Sequence, residues 1–352
     1  MQDLPQTPAV IIDVDIAKRN IRRFQDFADQ HGFAVRPHIK THKLPQMAEL
    51  QLEAGAVGIT CQKVSEAMSM AEASDQIQDI LITYNILGDE KLAMLVELAR
   101  KVRLSVVADS AVVVEGLSRA FADAGLILPV LVECNTGADR CGVAAPQLAA
   151  DLAKRIARAE GRKFGGRLTY PPVGGQERVQ SFMSQAKALI EAASIPVQRI
   201  TTGGTPDMMT ADRSPIATEF RPGTYIYNDR SLVMRGVCAW DDCALAVHTT
   251  VVSVPAPNRA VIDAGSKSLT SDLLGLTGYG HVLGRDDIVI DQLSEEHGRL
   301  VSEGPINLQV GDRLRIIPNH ACVVTNMTDY VYIVSAGQPV QTWPVVARGR
   351  VL

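Results

Sequence analysis

The chain of 352 residues carries a formal net charge of −4, with 46% hydrophobic and 21% charged residues. Such a composition supports a large folded core and argues against disorder, and without a basic excess nucleic acid is not an expected partner. No apolar run is long enough to predict a membrane span, and the opening MQDLPQTPAV lacks the charged and apolar regions of a signal peptide. Cysteines at 61, 134, 141, 238, 243 and 322 are too scattered for a disulfide framework, which points to the reducing cytoplasm.

In chain order, the elements open with a short apolar run, Ala9–Asp13. From about residue 34 to 230 one grammar repeats: a β-branched apolar run, a few polar or glycine residues, then an Ala/Leu-rich amphipathic stretch. The apolar runs are Ala34–Ile39, Gly58–Cys61, Asp79–Tyr84, Arg103–Ala108, Leu128–Cys134, Gly166–Tyr170 and Arg199–Gly203, with Thr224–Tyr227 as an eighth. Between them Lys43–Ala54, Val64–Ala73, Asp89–Ala99, Ala111–Ala124 and Gln147–Ala159 read as helices. Strands alternating with helices over short links predict parallel pairing and right-handed crossovers. About eight such units favour a (β/α)8 TIM-like barrel over an open doubly wound sheet, which shares the grammar.

After about residue 236 the pattern changes. Leu245–Val254, Arg259–Asp263, Ile288–Asp291, Arg313–Ile317 and Tyr330–Val334 read as strands with turns between them and no long helix. The expected organisation is an α/β barrel over residues 14–235 and a C-terminal mostly-β domain over 236–352, joined by the N-terminal strand within 1–13.

Three clusters can carry chemistry. Arg36-Pro37-His38-Ile39-Lys40-Thr41-His42-Lys43 lies at the end of the first barrel strand, where side chains point into the site of a barrel enzyme. Alternation places Arg36, His38 and Lys40 on one face, and an amine amid apolar neighbours is suited to imine formation. Taken alone, such a run is more often a solvated basic loop. Thr201-Thr202-Gly203-Gly204-Thr205 ends a late strand, and Gly223-Thr224-Tyr225 follows one unit on. Backbone amides and hydroxyls there could form a phosphate cup, although a Gly-Gly pair is often only a turn. In Pro318-Asn319-His320-Ala321-Cys322, an extended backbone would put His320 and Cys322 on one face, able to share a metal ion. Imidazole with thiolate suits zinc better than magnesium, but two ligands do not complete a site, and a cysteine beside a histidine is commonly packing.

The run RPHIKTHK resembles the cofactor-lysine motif of the D-threonine aldolase and D-serine dehydratase family, the metal-dependent branch of the alanine-racemase-like fold. The resemblance continues through TPAVIIDVD near the start, GITCQKVSEA at 58–67, VECNTGADRCGV at 132–143, TTGGTP at 201–206, IDAGSKS at 262–268, SEEHG at 294–298 and PNHAC at 318–322. It implies that Lys40 carries pyridoxal 5'-phosphate and is catalytic together with His38. It also implies that Gly203, Gly204 and Thr205 bind the phosphate with Gly223 and Tyr225 nearby. Arg140 would lie close to the cofactor, and Tyr170 would face the pyridine nitrogen. His320 and Cys322 would hold a divalent metal, zinc or manganese.

Two features depart from the family or divide it. Pro171-Pro172 follows Tyr170 where relatives often continue with His or Gln and Gly, so this loop and the region Asp207–Pro215 are expected to shape a different substrate pocket. The His-x-Cys pair is that of the dehydratases, whereas CQKVSEA and NTGADRCGV are similar to the aldolases. The expected activity is retro-aldol cleavage of D-3-hydroxy amino acids to glycine and an aldehyde. The alternative is dehydration of the same substrates to a 2-keto acid and ammonia; an amino-acid racemase or a non-catalytic pyridoxal-phosphate carrier is more remote. The resemblance also implies a homodimer, with a small amino acid as the only other partner.

Overall fold

The computed structural model of the chain describes residues 5–352. By internal contacts the chain divides into two compact units. One contains the segment ending at Ile21, Thr41–Leu44 and Thr224–Gly349; the other contains Arg22–Lys40, Pro45–Gly223 and Arg350–Leu352.

The chain begins with β1 (Ala9–Asp13) and helix α1 (Val14–His31). The strands of the larger unit follow as β2 (Ala34–Val35), β3 (Ile59–Cys61), β4 (Asp79–Ile82), β5 (Arg103–Ala108), β6 (Leu128–Cys134), β7 (Arg162–Thr169), β8 (Ile200–Thr202) and β9 (Glu219–Phe220). They pair in parallel in the order β2-β9-β8-β7-β6-β5-β4-β3, and a parallel bridge between His38 and Thr60 joins the two outer strands. The sheet therefore closes as the expected (β/α)8 barrel.

Its helices are α2 (Pro45–Glu53), α3 (Val64–Ala73), α4 (Asp89–Ala99), α5 (Ala111–Asp123), α6 (Pro146–Arg158) and α7 (Gln176–Glu191). In α6 a proline opens the first turn, where its missing N–H costs nothing, and Ala149, Leu152, Ala153 and Ile156 form the buried stripe. Helix α7 is absent from the predicted set because polar residues outnumber its stripe of Val179, Phe182, Met183, Ala186 and Ile190. Leu81, Val107, Leu131 and Leu168, from four adjacent strands, form one buried cluster. Arg167 donates to the Met183 carbonyl of α7 at 2.6 Å, so its neighbour Leu168 faces the other way, toward the barrel interior.

Two expectations need correction. Thr224–Tyr227 is not the eighth strand: Thr224–Ile226 forms a 3-10 turn in which the Thr224 carbonyl accepts from Tyr227 and Asn228. The eighth strand is β9, short and hidden from an apolar pattern because it buries the charged Glu219. The first strand is also shorter than predicted. It ends at Val35, and Ile39–Thr41 is a 3-10 turn, so strand alternation does not extend to Lys40.

The smaller unit contains β10 (Leu245–Ala256), β11 (Arg259–Ile262), β12 (His281–Val282), β13 (Val289–Leu293), β14 (Gly298–Val301), β15 (Arg313–Ile317), β16 (Tyr330–Ser335) and β17 (Gln338–Pro344). As expected, β1 joins this sheet, antiparallel to β10 and parallel to β16. Along β10 buried and half-buried residues alternate, as in a strand with one face on the core. Helices α8 (Arg230–Val233), α9 (Ser266–Leu269) and α10 (Ala321–Met327) are short. Among the described residues no helix is long and apolar enough to cross a membrane.

Candidate active site

Lys40 lies in the 3-10 turn just past β2. Its backbone N–H donates to His38 Nδ1 at 3.4 Å, which leaves the imidazole proton on Nε2, 3.0 Å from Gln62 Oε1. Gln62 in turn donates to the Thr83 carbonyl at 2.9 Å, which fixes the orientation of its amide. His38 is buried with both ring nitrogens engaged, so its geometry suits holding the turn that carries Lys40. Among the described residues no hydrogen bond or ion pair engages the Lys40 amine.

At the end of β8 the chain turns through Gly203-Gly204 into the 3-10 stretch Thr205–Arg213, with Gly204 at its N-cap. The first N–H groups of such a stretch lack partners within it and favour an anion. Thr205 Oγ1 accepts from the Gly223 N–H at 3.2 Å, which ties the next loop to the cup. Among the described residues the buried Thr202 hydroxyl has no hydrogen-bond partner. A Cβ on Gly204 would come within 3.1 Å of the Tyr170 ring, so a glycine is what lets that ring lie so close. Over the ring sits the Arg140 guanidinium, 4.9 Å from the centroid. A glycine turn opening a 3-10 stretch, a hydroxyl buried beside it and a cation next to a flat ring fit a phosphorylated aromatic aldehyde.

Arg221 is fully buried in the same unit, donating to Thr201 Oγ1 at 2.8 Å and to the Thr169 carbonyl at 2.6 Å. Burial lowers its pKa to about 10, against the attraction of Glu219 and Glu133. The loop after Tyr170 is fastened to the Thr205–Arg213 stretch. Gly174 N–H donates to Asp207 Oδ2 at 2.9 Å, and Gln176 Nε2 to Thr210 Oγ1 at 2.9 Å. The two segments expected to shape the substrate pocket are thus in contact.

In the smaller unit His320 is the N-cap of α10 and Cys322 lies in its first turn, which corrects the extended segment predicted there. The helix starts at this point because Asp229, fully buried, captures the Ala321 N–H at 3.1 Å and His320 Nδ1 at 2.9 Å. His320 still hydrogen-bonds Cys322, and with Nδ1 taken by Asp229 that contact falls to Nε2. Burial works against a charged imidazole here. The hydrogen bonds and charges of Asp229 and Cys322 outweigh it and push the His320 pKa up to about 10. Cys322 Sγ lies 3.1 Å from the hydroxyl of Thr41, the residue after Lys40, and 3.7 Å from that of Thr224. An imidazole oriented by a carboxylate beside a thiol fits a zinc-like ion, with water or substrate completing its shell.

The family profile of the alanine racemase N-terminal domain matches residues 12–231, and that of a serine dehydratase domain matches residues 244–334. The chain belongs to the alanine racemase family, in its D-threonine aldolase and D-serine dehydratase branch. It is 34% identical to the D-threonine aldolase of an Arthrobacter species, over 97% of this chain and 93% of that one. It is 33% identical to the D-threo-3-hydroxyaspartate dehydratase of a Delftia species, over 96% of each chain. The crystal structure of D-threonine aldolase from Filomicrobium marinum superposes with a TM-score of 0.92 at 32% identity, covering 99% of this chain and 97% of that one. Aldolases and dehydratases are lyases, and the alanine racemase-like fold implies pyridoxal 5'-phosphate.

Of the residues that the family resemblance singles out, Lys40, His38, Arg140, Tyr170, Gly203, Gly204, Thr205 and Gly223 belong to the barrel unit. Tyr225, His320 and Cys322 belong to the other, with Tyr225 buried in the turn Thr224–Ile226. The structure brings together Lys40 with His38, Arg140 with Tyr170 and Gly204, Thr205 with Gly223, and His320 with Cys322. Sequence reasoning missed Gln62, Arg221 and Asp229. For Asp229 one local signal existed, an aspartate just before a short helix, where it caps the Leu232 N–H.

Proposed function

We propose that this member of the alanine racemase family is a pyridoxal-phosphate- and divalent-metal-dependent lyase that cleaves D-3-hydroxy amino acids to glycine and an aldehyde. The observation that carries the reading is the buried carboxylate of Asp229 on His320 Nδ1 beside the Cys322 thiol, a donor set for a Lewis-acidic metal in a chain of this family. Pyridoxal phosphate would supply an electron sink for the substrate amine, and the metal, zinc or manganese, a Lewis acid for its β-hydroxyl. Lys40 would attach the cofactor and return to Cα the proton that it takes up after the β-hydroxyl has lost its own and the Cα–Cβ bond has broken, while His38 holds its turn. Gly203, Gly204 and Thr205 would bind the phosphate with Gly223 and Tyr225 nearby, Arg140 would sit beside the ring, and Tyr170 would offer the ring nitrogen its phenol. His320 and Cys322 hold the metal. In this reading the barrel of residues 14–235 carries the cofactor, residues 236–352 with the N-terminal strand carry the metal pair, and the protein works as a cytoplasmic homodimer.

One feature, the thiol of Cys322, favours dehydration to a 2-keto acid and ammonia as the second reading. The deciding experiment incubates the protein with D-threonine and with D-3-hydroxyaspartate, with and without a chelator, and identifies the products. Glycine plus aldehyde is expected, with the rate falling at least about 100-fold in chelator, as the loss of a Lewis acid worth several kcal/mol requires. A 2-keto acid with ammonia instead would overturn the aldolase reading in favour of the dehydratase.

The role of Asp229 gives a separate test. Asp229→Asn keeps the volume and the cap on the Leu232 N–H but puts an amide against His320 Nδ1 and the Ala321 N–H. Metal affinity is expected to fall about 10–100-fold, measured by competition with a chromophoric chelator. Unchanged affinity would mean that His320 does not depend on its carboxylate partner.

A further inference from the structure

Glu133, at the end of β6, has no part in the roles described so far. It is buried, and its carboxylate, that of Asp109 and the thiol of Cys141 place their ligand atoms within 4.8 Å of one another. Two carboxylates this close do not both ionise freely. Burial first and the Asp109 charge second push the Glu133 pKa up to about 7, against the pull of Arg140, Arg221 and the Asn85 hydrogen bond. Asn85 aligns the pair from a neighbouring strand end. Its Oδ1 accepts the Asp109 N–H at 3.1 Å, and its Nδ2 reaches Glu133 Oε2 at 3.5 Å.

The loop that presents Arg140 is fastened to these same residues. Gly142 N–H donates to Asp109 Oδ2 at 3.0 Å, and Val143 N–H donates to the Glu133 carbonyl at 2.9 Å. Asn135 Oδ1 gathers the N–H groups of Gly137 and Asp139 at 2.9 and 3.2 Å. At Gly142 φ is +105°, and a Cβ would fall 2.6 Å from the Asn135 nitrogen, so a glycine is required for the loop to fold back onto β6. Arg140 thus leaves a loop pinned on both sides, with its guanidinium over Tyr170 and its chain neighbour Cys141 within the carboxylate cluster. The charges of Arg140 and Arg221 act on Glu133 against its burial.

We propose that the Asp109–Glu133 carboxylate pair is the positioning device for Arg140, holding its guanidinium at the Tyr170 ring and so setting the affinity for pyridoxal phosphate and the pH dependence of that affinity. The proposal rests on Lys40 and the Gly203–Thr205 cup being the cofactor site. Below neutral pH the pair carries one negative charge. Above it the pair carries two, which bind Arg140 harder. The groups facing the pair are the Cys141 thiol, Arg140, Arg221 and Asn85.

The experiment titrates the apo-protein and its Glu133→Gln variant with pyridoxal phosphate at pH about 6 and about 8.5, comparing dissociation constants. The variant holds the pair at one charge, so the ratio of the two constants is expected to change about 5-fold between these pH values. In an Arg140→Ala background Glu133→Gln is expected to have no further effect, because its action runs through that guanidinium. Asp109→Asn, which removes the neighbouring charge but leaves Glu133 buried, is expected to move the pH dependence to lower pH and serves if Glu133→Gln does not fold. A ratio that does not move with pH, or a Glu133→Gln effect that persists in full without Arg140, overturns the positioning role. If the parent protein shows no Lys40-dependent cofactor absorbance at all, the cofactor reading itself falls, which is a distinguishable failure.

Discussion

Replacing Lys40 with alanine is expected to lower turnover of D-3-hydroxy amino acids by more than about 10³-fold, as when one group both attaches the cofactor and moves a proton. The substitution is locally clean. The turn Ile39–Thr41 is held through the Lys40 backbone N–H by His38, and His38 by Gln62, so removing the amine leaves these bonds in place. The variant should therefore fold and melt like its parent while the visible absorbance of lysine-bound cofactor disappears. Residual affinity for pyridoxal phosphate is expected, because the Gly204–Thr205 turn and the Gly223 loop are independent of Lys40. Spectra and product assays on the same preparation separate these effects. Turnover at the parental rate would leave Lys40 without a catalytic part in this buried run.

Glu219→Gln is expected to destabilise the barrel unit by about 3–5 kcal/mol, the cost of leaving buried cations without their counter-charge. Glu219 Oε2 accepts from Arg36 Nε at 2.9 Å and Oε1 from Arg199 Nη2 at 2.8 Å. One carboxylate on β9 thereby ties the residue after β2 to the residue before β8, where the barrel closes. Arg36 is itself buried and also reaches Asp79 at 2.6 Å. Burial alone would raise the Glu219 pKa, but Arg36 and Arg199 outweigh it and hold it at about 2, against an ordinary value of 4.5. A depressed carboxylate contributes stability that is fully present above the unfolded pKa and is lost as pH falls through the folded one. In urea denaturation the gap between parent and variant should be full at neutral pH and shrink between about 4.5 and about 2. Equal stability at neutral pH would mean that Asp79 and solvent suffice for the two arginines.

Two of the three corrections share a cause with these predictions. The eighth strand escaped an apolar pattern because half of it is Glu219, which is tolerable inside a barrel only beside Arg36 and Arg199. The helix start at His320 escaped because Asp229, not a local cap signal, captures the Ala321 N–H. Glu133 read as one residue of an apolar strand, and nothing in its neighbourhood along the chain announces Asp109.

The sequence by itself determined the alternation of strands and helices, the mostly-β C-terminal part, the entry of β1 into that sheet, and the Lys40, Gly203–Thr205 and His320–Cys322 motifs. These are local properties: side-chain periodicity and short spacings act within a few residues and can be read without knowing where the chain goes next. Only the tertiary structure decided which charges meet. Glu219 lies 183 residues from Arg36, and His320 lies 91 residues from Asp229. Burial without a partner makes such charges costly, and only the folded chain supplies the partner, so their roles become legible where the strand ends and loops converge.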